Sequence, residues 1–203
     1  MNQKATKNMS EEENKMIKKW IYLMLAADNN SSIKGKVRIT KEFFLITKQL
    51  APEVFKAAQF YPYHFGPYST RFAVCVNELI KSNHINILYK SGDYHYELSK
   101  KGLVEAKKYL KTIPKKEKQV IDDIKKKSKS QSLKSMLKEI YEKYPKYTVR
   151  SVIKADLDTK KVNLDSVEKV DDSSGFVSSD MKHERDIVLK GEAAKRFLEI
   201  ISK

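Results

Sequence analysis

The chain has 203 residues, of which 41 are Lys or Arg and 26 are Asp or Glu, so its formal net charge is +15. This length predicts one domain with appendages or two small domains, and a hydrophobic content of 40% is enough to form a core. The single cysteine excludes an intrachain disulfide and a cysteine-based zinc site. Neither an apolar run of membrane-spanning length nor the apolar core of a signal peptide is present, so we expect a soluble, cytoplasmic protein that does not insert into a membrane.

The positive charge is concentrated in the middle of the chain. Residues 36–113 hold 13 basic and 6 acidic side chains (+7), and residues 114–154 hold 13 and 5 (+8). Residues 155–203 hold 9 basic and 11 acidic side chains (−2). Such a surplus predicts attraction to a polyanion that weakens as the salt concentration rises. Because 36 of the 41 basic residues are Lys, a merely solvated surface is the alternative.

Helices and one hairpin are predicted over the first 113 residues. The spacing of apolar side chains predicts helices over residues 11–27, 41–50, 53–58, 70–83 and 100–110. Thr40, Ser69 and Ser99 are placed to cap three of them. Residues 85–89 and 94–98 form two strand-like runs around a loop that contains Gly, which predicts a β-hairpin. This order predicts a mainly α fold with a winged helix-turn-helix body, residues 1–113, in which the hairpin is the wing.

The most distinctive segment is residues 60–69, which read Phe-Tyr-Pro-Tyr-His-Phe-Gly-Pro-Tyr-Ser. Its prolines predict extended backbone, with a turn at Gly66-Pro67. We expect its aromatic side chains to fix this turn against a core, and a stacking platform for single-stranded bases is the alternative. The 18 residues 51–68 separate the helix predicted over residues 41–50 from the helix predicted over residues 70–83. A DNA-reading helix-turn-helix joins its two helices by only three or four residues.

Residues 114–203 are predicted to form a charged helical extension. Helices are expected over residues 115–127, 133–144 and 191–201, with a linker or break at 125–132 and extended backbone from Tyr147 to Arg150. Residues 156–185 are rich in Asp, Ser and Lys, so we expect a loosely ordered segment there. The amphipathic helices at 133–144 and 191–201 are candidate elements of a homodimer.

Three sequence runs together resemble a known group of proteins. They are the aromatic run at residues 61–69, Tyr-Glu-Leu-Ser-Lys-Lys-Gly at residues 96–102, and Ile-Tyr-Glu-Lys-Tyr-Pro-Lys-Tyr-Thr at residues 140–148. The chain is similar here to the YwgA-type and SocA-type (Panacea) group of prokaryotic winged-helix proteins, over about residues 39–151. The resemblance implies a winged-helix body and a role as a regulator or as an antitoxin-like binding module, whose partner would be a protein such as a toxin. It does not imply an enzyme.

The helix predicted over residues 70–83 is the candidate recognition helix for double-stranded DNA. Its candidate contacts in the major groove are Thr70, Arg71, Asn77 and Lys81. Arg71 has the geometry to bind guanine, and Asn77 has the geometry to bind adenine. The candidate contacts to phosphates are Lys36, Arg38 and Lys41 near the start of the second helix and Lys90 at the tip of the wing. An ordinary solvated helix face is the alternative.

The sequence gives no support for a metal site, a reactive cysteine or a catalytic site. The four histidines are scattered and do not have the spacing of a metal site, and Cys75 lies on an apolar stripe, where it is expected to be a buried packing residue. No Gly-rich phosphate loop or nucleophile elbow is present, so we expect neither an enzyme nor a cofactor. The first hypothesis is therefore a dimeric winged-helix regulator of transcription that binds duplex DNA. A protein-binding module of antitoxin or adaptor type is the second hypothesis, and a nucleic-acid-binding protein without sequence preference is the third.

Overall fold

The structure, a computed structural model, describes residues 3–154 and 157, with side chains from residue 10 onwards. This part of the chain is mainly helical and carries a small antiparallel sheet, as the sequence predicts. Its elements in chain order are α1 (Gln3–Asn30), β1 (Ile33–Lys34), α2 (Lys36–Leu50), α3 (Pro52–Ala58), β2 (Tyr61–Tyr63), β3 (Gly66–Tyr68), α4 (Thr70–Lys81), β4 (Ile85–Lys90), β5 (Asp93–Leu98), α5 (Lys100–Leu110), α6 (Lys115–Ser130), α7 (Leu133–Lys143) and a 3-10 helix (Pro145–Tyr147).

Helix α1 is the central element of the first of two hydrophobic cores. Every side chain from Trp20 to Leu25 is buried, because α1 packs against α3, α4, α5 and α6 on its different sides. Its regular geometry ends where Asp28 and Asn29 take left-handed backbone angles, with φ of 47° and 55°. Asp and Asn tolerate left-handed backbone angles. The regular part of α1 therefore ends close to residue 27, where the sequence predicts the end of this helix.

The β-hairpin predicted over residues 85–98 is present and belongs to a three-stranded sheet. Strands β4 and β5 pair in antiparallel register, with Ile87 opposite Tyr96, and β1 adds to the outer side of β5 by placing Ile33 opposite Tyr96. The order of the sheet is therefore β1-β5-β4, and Tyr96 is fully buried at its centre. The sequence does not predict β1, because two residues are too few to show an alternating pattern.

Helix α2 lies between the two cores and begins earlier than predicted. Phe43 packs in the first core, whereas Phe44 packs in the second, which is built mainly from α7 and the segment that follows it. The helix starts at Lys36, after Gly35 with φ of 77°. Thr40 is not its cap, since the Thr40 hydroxyl donates a hydrogen bond to the carbonyl oxygen of Lys36 inside the first turns.

The aromatic segment forms a second hairpin, made of β2 and β3. Its turn lies at His64 and Phe65, not at Gly66-Pro67, because Gly66 already pairs with Tyr63. Phe60 and Phe65 pack against the second core, which agrees with the packed interpretation. A Cβ atom on Gly66, where φ is 89°, would lie 2.8 Å from Cε1 of Tyr141, so only glycine fits against this side of α7.

The charged region after Pro114 is more regular than predicted. Helix α6 continues to Ser130 without the break expected at residues 125–132, because Lys125 is buried and its ammonium donates hydrogen bonds to the carbonyl oxygens of Leu25 (2.7 Å) and Ala27 (3.0 Å). Helix α7 agrees with the prediction, but the residues from Pro145 onwards form a 3-10 helix and turns, not a strand. Apart from Leu157, which is buried in the second core, the segment at 156–185 and the helix at 191–201 lie outside the described residues.

Candidate nucleic-acid interface

Helix α4 is held in place by its N-terminal cap and by its apolar side. The Ser69 hydroxyl accepts a hydrogen bond from the backbone N–H of Phe72 at 3.0 Å and donates one to the carbonyl oxygen of Ala58. Phe72 is buried and stacks on Phe43 of α2, with ring centroids 4.4 Å apart. The predicted cap is therefore confirmed, and α4 is fixed against α2 by an aromatic contact.

One side of α4 faces outward and carries three of the four predicted groove contacts. Thr70, Asn77 and Lys81 lie on one stripe with Val74, since their spacing of four, three and four residues returns to the same side of a helix. Thr70 and Lys81 are exposed, Asn77 is half-buried, and Val74 is 45% exposed. We call Thr70, Val74, Asn77 and Lys81 the outward stripe. Its apolar member, Val74, was not among the predicted contacts.

Arg71, the fourth predicted groove contact, does not lie on the outward stripe. Its guanidinium donates hydrogen bonds to Oε2 of Glu13 at 2.5 Å and to the carbonyl oxygen of Ala57 at 2.9 Å. These contacts connect α4 to α1 and α3. The prediction that Arg71 faces a DNA groove is therefore not supported, because Nη1 of its guanidinium binds groups within the chain.

Two of the predicted phosphate contacts lie in the interior. Lys41 is 2% exposed, its ammonium donates a hydrogen bond to the carbonyl oxygen of Pro67 at 2.8 Å, and its burial lowers its pKa to about 7. Arg38 is also buried and donates to the carbonyl oxygens of Ser128 and Gln131. The expectation that Arg38 and Lys41 lie on the surface is wrong, because both sides of α2 are covered at these positions. Lys36, in the first turn, is half-buried.

The tip of the β4–β5 hairpin, the predicted wing, carries charged and aromatic side chains. Lys90 is exposed, with its Nζ 3.9 Å from Oε2 of Glu97, and Asp93 forms a 3.0 Å ion pair with Lys34 of β1. Tyr89 and Tyr94 face each other across the hairpin, with ring centroids 5.3 Å apart, and are 63% and 41% exposed. Alternate residues of a strand lie on the same face, so Tyr89 shares a face of β4 with the apolar residues two and four positions before it. The sequence pattern therefore predicts a packed side chain for Tyr89, whereas the structure shows an exposed one.

Exposed lysines recur along the chain from the start of α5 to the start of α6. Lys101 donates a hydrogen bond to the carbonyl oxygen of Ser82 at 3.0 Å, which places the start of α5 beside the end of α4. Residues 100–118 contain eight lysines and two glutamates, and all eight lysines are exposed. We call this set the lysine ridge: Lys100, Lys101, Lys107, Lys108, Lys111, Lys115, Lys116 and Lys118.

The described part of the chain gives little support for a metal site, a reactive cysteine or a membrane-spanning helix. Among the described residues, no three His, Cys, Asp or Glu side chains lie close enough to hold a metal ion. Cys75 is buried against α1, and burial raises the pKa of its thiol to about 11, far from the range of a reactive thiolate. None of the described helices is long and apolar enough to cross a bilayer.

Comparisons of the chain with models of protein families, with curated proteins and with solved structures found no match. The resemblance to the YwgA-type and SocA-type group therefore stays a prediction.

Proposed function

We propose that this protein is a winged-helix protein that binds duplex DNA with the outward stripe of α4 in the major groove. The observation that carries the proposal is the uncovered stripe itself, which combines short polar, apolar and cationic side chains on a helix that is anchored from behind. Asn77 is suited to adenine, Val74 to the methyl group of thymine, and Lys81 to guanine or a phosphate. A cytoplasmic regulator of transcription is the role that this chemistry serves.

The chain order supports the winged-helix interpretation. Helices α1, α2 and α4 are followed by the hairpin β4–β5, and the short strand before α2 joins this hairpin at its second strand. A winged helix connects its wing to its helices by a strand in this position, so the strand order supports the proposal. Helix α3 and the hairpin β2–β3 are then an insertion between the second helix and the recognition helix.

The inserted hairpin affects how α4 approaches DNA. The hydroxyls of Tyr61 and Thr70 lie 3.0 Å apart, so the hairpin is in contact with the first turn of α4. Recognition helices commonly enter the groove with their N-terminal turns. Here we infer that the middle of the helix, at Val74 and Asn77, makes the base contacts.

The lysine ridge supports contact with the phosphate backbone. Eight exposed lysines against two glutamates give this stretch a charge of +6, and the stretch begins beside the end of α4. Each phosphate that such a surface neutralises contributes about −0.9 to the slope of log affinity against log salt concentration. Lysines supply charge without base specificity, so the ridge adds affinity and the outward stripe adds selectivity.

Fluorescence anisotropy with random duplexes at two salt concentrations tests the proposal, with two matched variants. Val74 and Val149 are both exposed valines, but only Val74 belongs to the outward stripe, and Val149, which follows the 3-10 helix, also lies outside the lysine ridge. We expect Val74→Glu to weaken duplex binding at least about tenfold, because a carboxylate in the groove faces phosphates, and Val149→Glu to have a much smaller effect. Equal losses for the two variants, or no binding at low salt, would overturn the proposal.

A protein-binding module remains the second candidate function, and the exposed pair Tyr89 and Tyr94 favours it. Tyrosine is enriched in protein interfaces, and two adjacent exposed rings at the tip of a hairpin form a compact contact surface. The antitoxin-like role implied by the resemblance belongs to this candidate. A double substitution of both tyrosines by Ala that leaves duplex binding intact but abolishes capture of a co-purifying protein would favour it.

The homodimer predicted from the sequence stays a prediction. The apolar side of α7, one of the two candidate elements, is buried within the second core of the same chain. Helix α7 therefore offers no apolar face to a second copy, and a dimer would need another surface.

A further inference from the structure

A cavity of about 230 Å³ lies between helices α2, α6 and α7. It is larger than the roughly 150 Å³ engineered cavity that takes up benzene in another protein. Its inner wall is apolar and comes from all three helices, through Leu45 of α2, Ile124 of α6, and Met136 and Ile140 of α7. A concave site lined by apolar side chains with a few polar groups is the usual form of a small-molecule site.

The rim of the cavity carries a net positive charge. It is lined by Lys127 of α6 and by Lys143 and Glu139 of α7, and Lys127 pairs with Glu139 at 2.6 Å across the gap between the two helices. Lys143 lies over the ring of Tyr144, 5.6 Å from its centroid. Within the described part of the chain, no carboxylate lies within 4.0 Å of its Nζ. The rim therefore offers one ammonium group without an anionic partner beside an apolar interior.

Two side-chain amides complete the polar rim. Gln49 of α2 and Gln131, which follows α6, line the cavity and carry N–H groups that can donate to an oxygen atom. One ammonium and an amide match the two oxygens of a carboxylate. A single ammonium without an anionic partner matches the charge of a carboxylate better than the charge of about −1.5 to −2 that a phosphate carries. A ligand amine would meet two lysines and only one carboxylate, that of Glu139, which is already paired with Lys127, so the rim disfavours an amine.

We propose that this cavity binds a small amphipathic carboxylate, with its hydrocarbon part among the apolar side chains and its carboxylate on Lys143. The carboxylate accepts hydrogen bonds from the Lys143 ammonium and from one amide of the rim. The hydrocarbon part moves from water to an apolar surrounding, and this transfer favours binding. The site does not depend on the proposed function, because it lies away from the outward stripe and is tested without nucleic acid.

The back wall of the cavity is fixed, which favours a preformed site. Ser128 lines the cavity, and its hydroxyl donates a 2.6 Å hydrogen bond to Oε1 of the buried Glu42 on α2. The guanidinium of Arg38, also on α2, donates to the carbonyl oxygens of Ser128 and Gln131. These bonds hold the end of α6 against α2, so a ligand does not have to create the gap that it enters.

Titration calorimetry and thermal unfolding of the full chain with octanoate, octanol and octylamine test the proposal. We expect octanoate to bind and to raise the unfolding temperature, octanol to bind at least about tenfold more weakly, and octylamine not to bind. Lys143→Ala is expected to weaken octanoate binding at least about tenfold. Lys126→Ala, an exposed lysine of α6 that does not line the cavity, is the matched control and is expected to leave binding unchanged.

Gln49→Trp tests the location without disturbing the core. Gln49 is exposed on α2, so an indole at this position covers the mouth of the cavity. The substitution is expected to retain the fold, and far-UV circular dichroism measures whether it does. Octanoate binding is expected to be lost. The proposal is overturned if octanoate does not bind at millimolar concentration, if octanol binds as well as octanoate, or if Gln49→Trp still binds octanoate. A change in sedimentation caused by Gln49→Trp, without binding of any probe, would show a protein contact in place of the ligand site.

Discussion

Replacing Lys41 by Met removes a buried amine from the middle of α2 and is expected to stabilise the protein near neutral pH. Lys41 is 2% exposed, and burial lowers its pKa from 10.5 to about 7. The unfolded chain keeps the proton up to the ordinary pKa, whereas the folded chain releases it above about 7. The free energy of unfolding of the wild type therefore rises with pH from about 7 to 10.5, because the unfolded state binds more protons in that range.

The size of the effect follows from this pKa shift. Each pKa unit corresponds to about 1.4 kcal/mol, so at pH 7 the buried amine costs about 4 kcal/mol of stability as an upper limit. Met has a similar length and fills the same space, but it leaves the carbonyl oxygen of Pro67 without its 2.8 Å hydrogen bond. A buried polar group that loses its partner costs about 1–3 kcal/mol. We therefore expect Lys41→Met to stabilise the fold by about 2 kcal/mol at pH 7 and to destabilise it by about 1 kcal/mol at pH 10.

Urea denaturation at pH 7 and pH 10 measures this difference. Lys56→Met is the control, because Lys56 is an exposed lysine of α3 and its substitution is expected to change stability by about 0.5 kcal/mol or less at both pH values. The reasoning is refuted if Lys41→Met lowers the free energy of unfolding at pH 7 by as much as it does at pH 10. That result would mean that the folded protein keeps Lys41 protonated at little cost.

Three further predictions follow from the packing and the surface charges. Gly102→Ala places a Cβ atom 2.1 Å from the carbonyl oxygen of His84, so urea denaturation should show a loss of at least about 3 kcal/mol, and a loss below about 1 kcal/mol would contradict this packing. Arg71→Ala removes the contacts to α1 and α3, so it should lower stability by about 1 kcal/mol while changing duplex affinity no more than the loss of one exposed lysine does. Replacing Lys111 and Lys115 by Ala should reduce the salt slope of duplex binding by about 2, and an unchanged slope would exclude the ridge from the interface.

Local signals in the sequence predict most helices and the β4–β5 hairpin correctly. Ser69 and Ser99 cap α4 and α5 as expected, because a capping hydroxyl acts on backbone N–H groups only three residues away. The outward stripe of α4 also follows from spacing, since one buried side defines the opposite side. These features depend on neighbours in the chain, which a single sequence displays.

The buried charges of α2 could not be predicted, because their partners are distant in the chain. Lys41 donates to residue 67, and Arg38 donates to residues 128 and 131. Arg38 and Lys41 also lie near the start of a basic helix, a position that is typical of exposed phosphate contacts. The pairing of Arg71 with Glu13, 58 residues earlier, escapes prediction for the same reason.

Selection of preferred sequences from a random duplex library, with wild type and with Asn77→Ala, tests most directly whether α4 reads DNA. Asn77 lies on the outward stripe, and an asparagine binds adenine through two hydrogen bonds whose loss costs about 1–3 kcal/mol of discrimination. We predict that the wild type enriches one sequence and that Asn77→Ala loses the preference at a single adenine of it while keeping the rest. Enrichment of the same sequence by both proteins, or of none by the wild type, would contradict base reading by this helix.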